Sequence, residues 1–73
     1  MNAPRRARLR MARSHLIDAK EIIEAVVDEE EDVKDNIPDS FVDKHEEFEQ
    51  CISAMDEALS SVEEAIKSVE EAL

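Results

Sequence analysis

Two histidines, one cysteine and a run of five acids are the residues with the means to do chemistry, and their spacing decides against most of it. His15 and His45 could each move a proton near neutral pH, but nothing nucleophilic is placed against either. Two histidines and Cys51 fall short of the usual zinc ligand sets. No Glu-x-x-His pair is present to build a di-iron site between helices. The chain has no glycine, so it has no glycine-rich loop to cradle phosphate. The run DEEED, residues 28 to 32, lacks the glycine and the alternating ligands of an EF-hand loop. Its continuous spacing wraps round a helix end, which makes it a solvated collar. The expectation is a protein that is not an enzyme and carries no metal or cofactor.

The elements that hold these residues are read from periodicity. Charged residues make up 40% of the 73 and would suggest disorder, but hydrophobic ones make up 42% and recur regularly, so ordered helices are expected. In the second half the seam His45, Phe48, Ile52, Met55, Leu59, Val62, Ile66, Val69 and Leu73 alternates steps of three and four. Phe41 lies one step before it. That 3.5-residue repeat is the mark of helices sharing a buried stripe. The first half offers Leu9, Ala12, Leu16, Ala19, Ile23, Val26, Glu30, Val33 and Ile37 at the same alternating steps. Pro38 cannot continue a helix and biases Ile37 away from helical angles. Asn36 suits a left-handed helix end, and Ser40 with Asp43 resembles a capping box. The spacing therefore predicts one domain of all-α class: helix 1 at about 4–35, a turn at 36–39, and helix 2 at about 39–72, folded as an antiparallel two-helix hairpin of coiled-coil type.

A hairpin this small buries little. Its predicted core is Leu16, Ile23, Val26, Phe48, Ile52, Met55, Leu59, Val62 and Ile66. Ile17, Ile22 and Val27 lie outside the two core columns, and Cys51, Ala58 and Ala65 form a small-residue flank on helix 2. These six are expected to form a self-association interface that joins two hairpins into a four-helix bundle. On that flank Cys51 reads as a packing residue rather than a reactive thiol. A larger protein partner would cover the same surface.

Charge is uneven. Arg5, Arg6, Arg8, Arg10 and Arg13 supply five of nine cations, while the net charge is −11. Folding at the turn is expected to bring the arginines beside Glu63, Glu64, Glu70 and Glu71. Without interleaved aromatic residues for stacking, they give no reason to expect direct nucleic-acid binding. The acids Asp28, Glu29, Glu31, Asp32, Glu46 and Glu47 admit two readings: the wet side of a soluble helix, or carboxylates standing in for DNA phosphates. A single cysteine fits a reducing, cytoplasmic setting, and no membrane span is expected. The Arg-rich start is faintly like a mitochondrial presequence, but the seam runs straight through it, as in the first turns of a helix. The polar seam residues Glu30 and His45 are expected at similar heights, as a carboxylate facing an imidazole.

The acidic run, the D-N-I-P-D-S junction and the E-E-A-I-x-S-V-E-E-A repeat, together spanning about residues 20 to 73, resemble small uncharacterised acidic helical-hairpin proteins of phages, prophages and bacteria. The resemblance implies a phage-associated hairpin in the bacterial host cytoplasm and carries over no functional residue. Two roles are thus expected to compete. One is a self-associating structural or interaction module. The other is an acidic DNA-mimic inhibitor of a defence enzyme such as a CRISPR or restriction effector.

Overall fold

The computed structural model describes residues 1–73 as two helices packed against each other, with no strands: α1, Ala3–Asp35, and α2, Val42–Ala72. They form a hairpin 59 Å long and at most 15 Å across. Helix α1 begins where Asn2 accepts a hydrogen bond from the Arg5 backbone N–H at 3.0 Å. That bond satisfies one of the free donors of the first turn. Pro4 sits in that turn, where its missing N–H costs nothing.

The connection is longer than the sequence suggests. Asn36 ends α1 in a right-handed conformation (φ −90°, ψ −4°), not the left-handed one expected, and no residue has positive φ. Its side-chain amide instead donates to the Asp32 carbonyl at 2.9 Å, while the Asn36 and Ile37 N–H groups close a tight last turn onto Val33 and Lys34. Pro38 to Phe41 form a second turn, closed by the Phe41 N–H on the Pro38 carbonyl at 3.0 Å. That turn uses up Asp39 and Ser40, so α2 starts at Val42 rather than near residue 39. The capping box does not form: Phe41 holds the cap position with no side-chain hydrogen bond. Asp43 in the first turn still puts negative charge at the positive end of the helix dipole.

Between the helices, every α2 residue of the seam from His45 to Leu73 is buried or half-buried. Phe41 is exposed and outside the seam. Helix α1 departs from its expected spacing halfway along. Its inward positions are Leu9, Ala12, Leu16, Ala19, Ile23, Val27, Glu30, Lys34 and Ile37. After Ile23 the steps run four, three, four, three, so the inner column moves on by one residue. Val27 is 7% exposed and belongs to the hairpin core, whereas Val26, expected there, is 37% exposed. The cause is helix geometry. An α-helix turns every 3.6 residues and drifts about 20° per heptad from a 3.5 repeat. A second consecutive step of four lets α1 follow α2 without supercoiling further, and the sequence supplies a valine at both positions.

Candidate interaction surface

Two ion pairs fix how the hairpin's sides are made. Lys20 meets Glu63 at 3.8 Å and Lys34 meets Glu49 at 3.2 Å. Lys20 follows the seam residue Ala19, Glu63 follows Val62, and Glu49 follows Phe48. In antiparallel helices, then, the residues that follow the seam on α1 and on α2 share one side of the hairpin. Those that precede it share the other.

The two sides differ in kind. The following side has Glu24, Asp28, Glu31 and Asp35 from α1 and Glu46, Glu49, Asp56, Glu63 and Glu70 from α2, with Arg10, Arg13, Lys20 and Lys67 toward the end away from the turn. Ile17 sits there alone among polar residues. The preceding side has Met11, His15, Ile22, Val26 and Val33 from α1. From α2 it receives Cys51, Ala54, Ala58, Ser61, Ala65, Ser68 and Ala72 without interruption. Ile22 is 64% exposed, and Met11, Val33 and Cys51 are also exposed. Over the span from Met11 to Val26 the only charged residue on that side of α1 is Asp18. The hairpin is thus acidic on one side and apolar on the other, with large side chains on α1 beside small ones on α2.

This geometry regroups the residues expected to mediate self-association. Ile22, Cys51, Ala58 and Ala65 lie together on the apolar side. Ile17 falls on the opposite side and Val27 between the helices, because successive residues are turned by about 100° and the three α1 positions point in three directions. Sequence reasoning missed Met11, Val26 and Val33. Their signal is present: Met11, Ile22 and Val33 recur every eleven residues, three near-whole turns. The six acids proposed as a surface are likewise divided. Asp28, Glu31 and Glu46 share the acidic side, Glu29 and Glu47 border the apolar side, and Asp32 is on neither flank of the seam.

The polar residues also find unexpected partners. His45 Nε2 lies 3.0 Å from the Ile37 carbonyl and 3.2 Å from that of Pro38. Carbonyl oxygens only accept, so Nε2 carries a proton and donates across the turn. His45 therefore clasps the connection instead of facing Glu30, which makes no ion pair. The ion pairs are Lys20–Glu63, Lys34–Glu49 and Lys44–Glu47, so none of the arginines pairs with an acid as expected. From the Lys20–Glu63 contact, ten residues back along α1 reach Arg10, and ten forward along α2 reach Leu73. The first turns of α1 accordingly project past the end of α2, beyond reach of Glu70 and Glu71.

No group of histidine, cysteine and carboxylate side chains is arranged to hold a metal ion, and no helix is long and apolar enough to cross a membrane. Comparison with family models, with curated proteins and with solved structures finds no match to this chain.

Proposed function

We propose that this protein is a self-associating structural or interaction module, with two hairpins joining by their apolar sides into a four-helix bundle. The observation that carries the reading is the alignment of Met11, Ile22, Val26 and Val33 beside an unbroken row of cysteine, alanine and serine on α2. Small side chains let a second helix approach closely, while large ones supply apolar area to cover. Area supports the same reading. The single chain exposes 5462 Å², whereas a compact monomer of this mass exposes about 4,600 Å². The excess of about 900 Å² is close to the roughly 800 Å² that each partner contributes to a standard interface. With only Val27 and Ile52 buried, a lone hairpin has little core to hold it. The acidic sides face outward in such a bundle and keep it soluble and apart from other acidic surfaces.

Sedimentation or light scattering tests the proposal. The unmodified chain should give about twice its 8.3 kDa mass, and Ile22→Glu should shift it to monomer. Burying an isoleucine is worth about 2 kcal/mol, and the substitution acts in both subunits of a symmetric pair. Ile17→Glu, on the acidic side, should leave the mass unchanged. The Cys51 thiol should react more slowly as concentration rises. A monomeric wild-type chain at high concentration would refute the reading.

A second reading rests on the other side of the hairpin. Nine carboxylates along one side are the layout that a protein imitating DNA phosphates would need, so an inhibitor of a nucleic-acid-binding enzyme is the competing proposal. It expects loss of function from neutralising Glu24, Asp28, Glu31 and Asp56 together, whereas the structural module tolerates that change.

A further inference from the structure

The arginines are left unexplained by the hairpin itself. Arg5, Arg6 and Arg8 project past α2 and pair with no acid of their own chain, and Arg5, Arg8, Met1 and Leu9 line an open notch at that end. The opposite end is the reverse: residues 28 to 47 hold ten acids and two lysines. The molecule is a rod with a cationic tip and an acidic turn.

We propose that the two hairpins of the bundle lie with their turns at opposite ends, so that Arg5, Arg6 and Arg8 of each copy rest against the acidic turn end of the other. The inference depends on the self-association proposed above and adds its direction. Two features carry it. First, Met11, Ile22 and Val33 are spaced symmetrically about Ile22. A two-fold axis at Ile22, perpendicular to the rod, sets each copy's Met11 against Val33 of the partner subunit and its Ile22 against Ile22 of the partner subunit. In that register Arg8 lies level with Asn36 of the partner subunit and Arg5 with Asp39 of the partner subunit. Second, the arrangement matches charge at both ends. With the turns at the same end, both arginine clusters would crowd together, as would both acidic turns, which like-charge repulsion opposes. The face-to-face contact then pairs α1 with α1 and α2 with α2, each antiparallel, and the small-residue row of α2 allows its close approach.

The test uses the full chain. A Cys51→Ser, Ser40→Cys variant carries one spin label at each turn. Light scattering first establishes whether it associates, and pulsed dipolar spectroscopy then measures the separation. At 1.5 Å per residue, turns at opposite ends should lie about 50 Å apart, and a separation of about 20 Å or less would overturn the direction while leaving the bundle standing. The triple variant Arg5→Gln, Arg6→Gln, Arg8→Gln should weaken association about tenfold at low salt and much less at high salt. Arg5→Glu, Arg6→Glu, Arg8→Glu and Asp39→Lys, Glu47→Lys should each weaken self-association, and mixing the two should restore a mixed dimer. A long separation without any effect of the arginine variants would overturn the arginine contact, and a monomeric unmodified chain would overturn this inference and the proposed function together.

Discussion

The two helices are nearly equal in length but meet each other with different discipline. Helix α2 keeps an unbroken alternation of three and four from His45 to Leu73, and its inner row is apolar except at its first member. Helix α1 breaks step after Ile23 and admits Glu30 and Lys34 to its inner row. The difference teaches what fixes register in a small hairpin. Where the residues beside the seam are alanine or acid, as on α2, only one column can face inward. Where two neighbouring columns are both apolar, as with Val26 and Val27, backbone twist chooses between them, and the rejected column is left on the surface. The column rejected by the core adds Val26 and Val33 to the apolar side, beside Met11 and Ile22.

The largest expected effect probes the disciplined helix. Ile52 is 9% exposed, and Ile52→Ala should cost about 2–4 kcal/mol, enough to abolish cooperative thermal unfolding followed by circular dichroism. The sharper test is a pair on α1. Val27→Ala should destabilise by about 1–2 kcal/mol through a cavity between the helices. In the Ile22→Glu background, which the proposed bundle expects to be monomeric, Val26→Ala should cost under about 0.5 kcal/mol, as for a surface position. Equal costs, or the reverse order, would show that α1 keeps the 3.5-residue spacing after all. All comparisons belong at one protein concentration, since association adds to apparent stability.

Much of this hairpin was legible in the sequence, for identifiable reasons. Pro38 placed the break because its ring forbids a continuing helix, and the α2 seam was readable because its flanks offer no competing apolar column. The one-residue slip in α1 was not legible. A 3.5 repeat and a local 3-4-4 step fit the same residues until the partner helix is present. The false capping box had a similar cause. Ser40 and Asp43 have the right types and spacing, but a turn closed by Phe41 on Pro38 takes Ser40 out of position. The contacts of Arg5, Arg6 and Arg8 failed on length: pairing with Glu70 and Glu71 assumed equal arms, and the added turn residues shift α2 so that it ends level with Arg10. Arg13, by contrast, is level with Glu70 and still makes no ion pair. The exposed Val26 and Val33 followed from the same slip, whereas Met11 lies before it, beside Ala12.

A middle-sized effect lies at the turn that joins the two helices. His45→Leu keeps the half-buried volume but removes the donor to the Ile37 and Pro38 carbonyls, and should lower stability by about 1 kcal/mol. Glu30→Gln should change stability little, because Glu30 has no ionic partner. Urea unfolding of the two variants separates the observed clasp from the Glu30–His45 pairing expected from sequence. Matching losses, together with a double variant no worse than either single one, would restore that pairing.

The smallest expected effect asks whether the polar members of α1's inner row help to hold it in register with α2. Lys34 is one residue from the α1 C-terminus end, where a cation is favoured by the helix dipole, and its ammonium lies 3.2 Å from Glu49. The side chains are 28% and 58% exposed, so solvent screens the pair and its worth is a fraction of the vacuum attraction. A double-mutant cycle with Lys34→Met and Glu49→Gln should give a coupling of about 0.5 kcal/mol at low salt, falling toward zero near 1 M salt. The longer Lys20–Glu63 pair, at 3.8 Å, should couple less. A 3.5-residue spacing carried through α1 would turn Val33 inward and make Lys34 the residue that follows it, still on the side of Glu49, as Lys20 is on the side of Glu63. Measurable coupling at Lys34–Glu49 therefore reports the antiparallel register of the two helices in solution, and the phase of α1 is read from Val26 and Val27. Its absence, with Val27→Ala still costly, would mean that apolar packing alone holds the register and that the lysine follows passively.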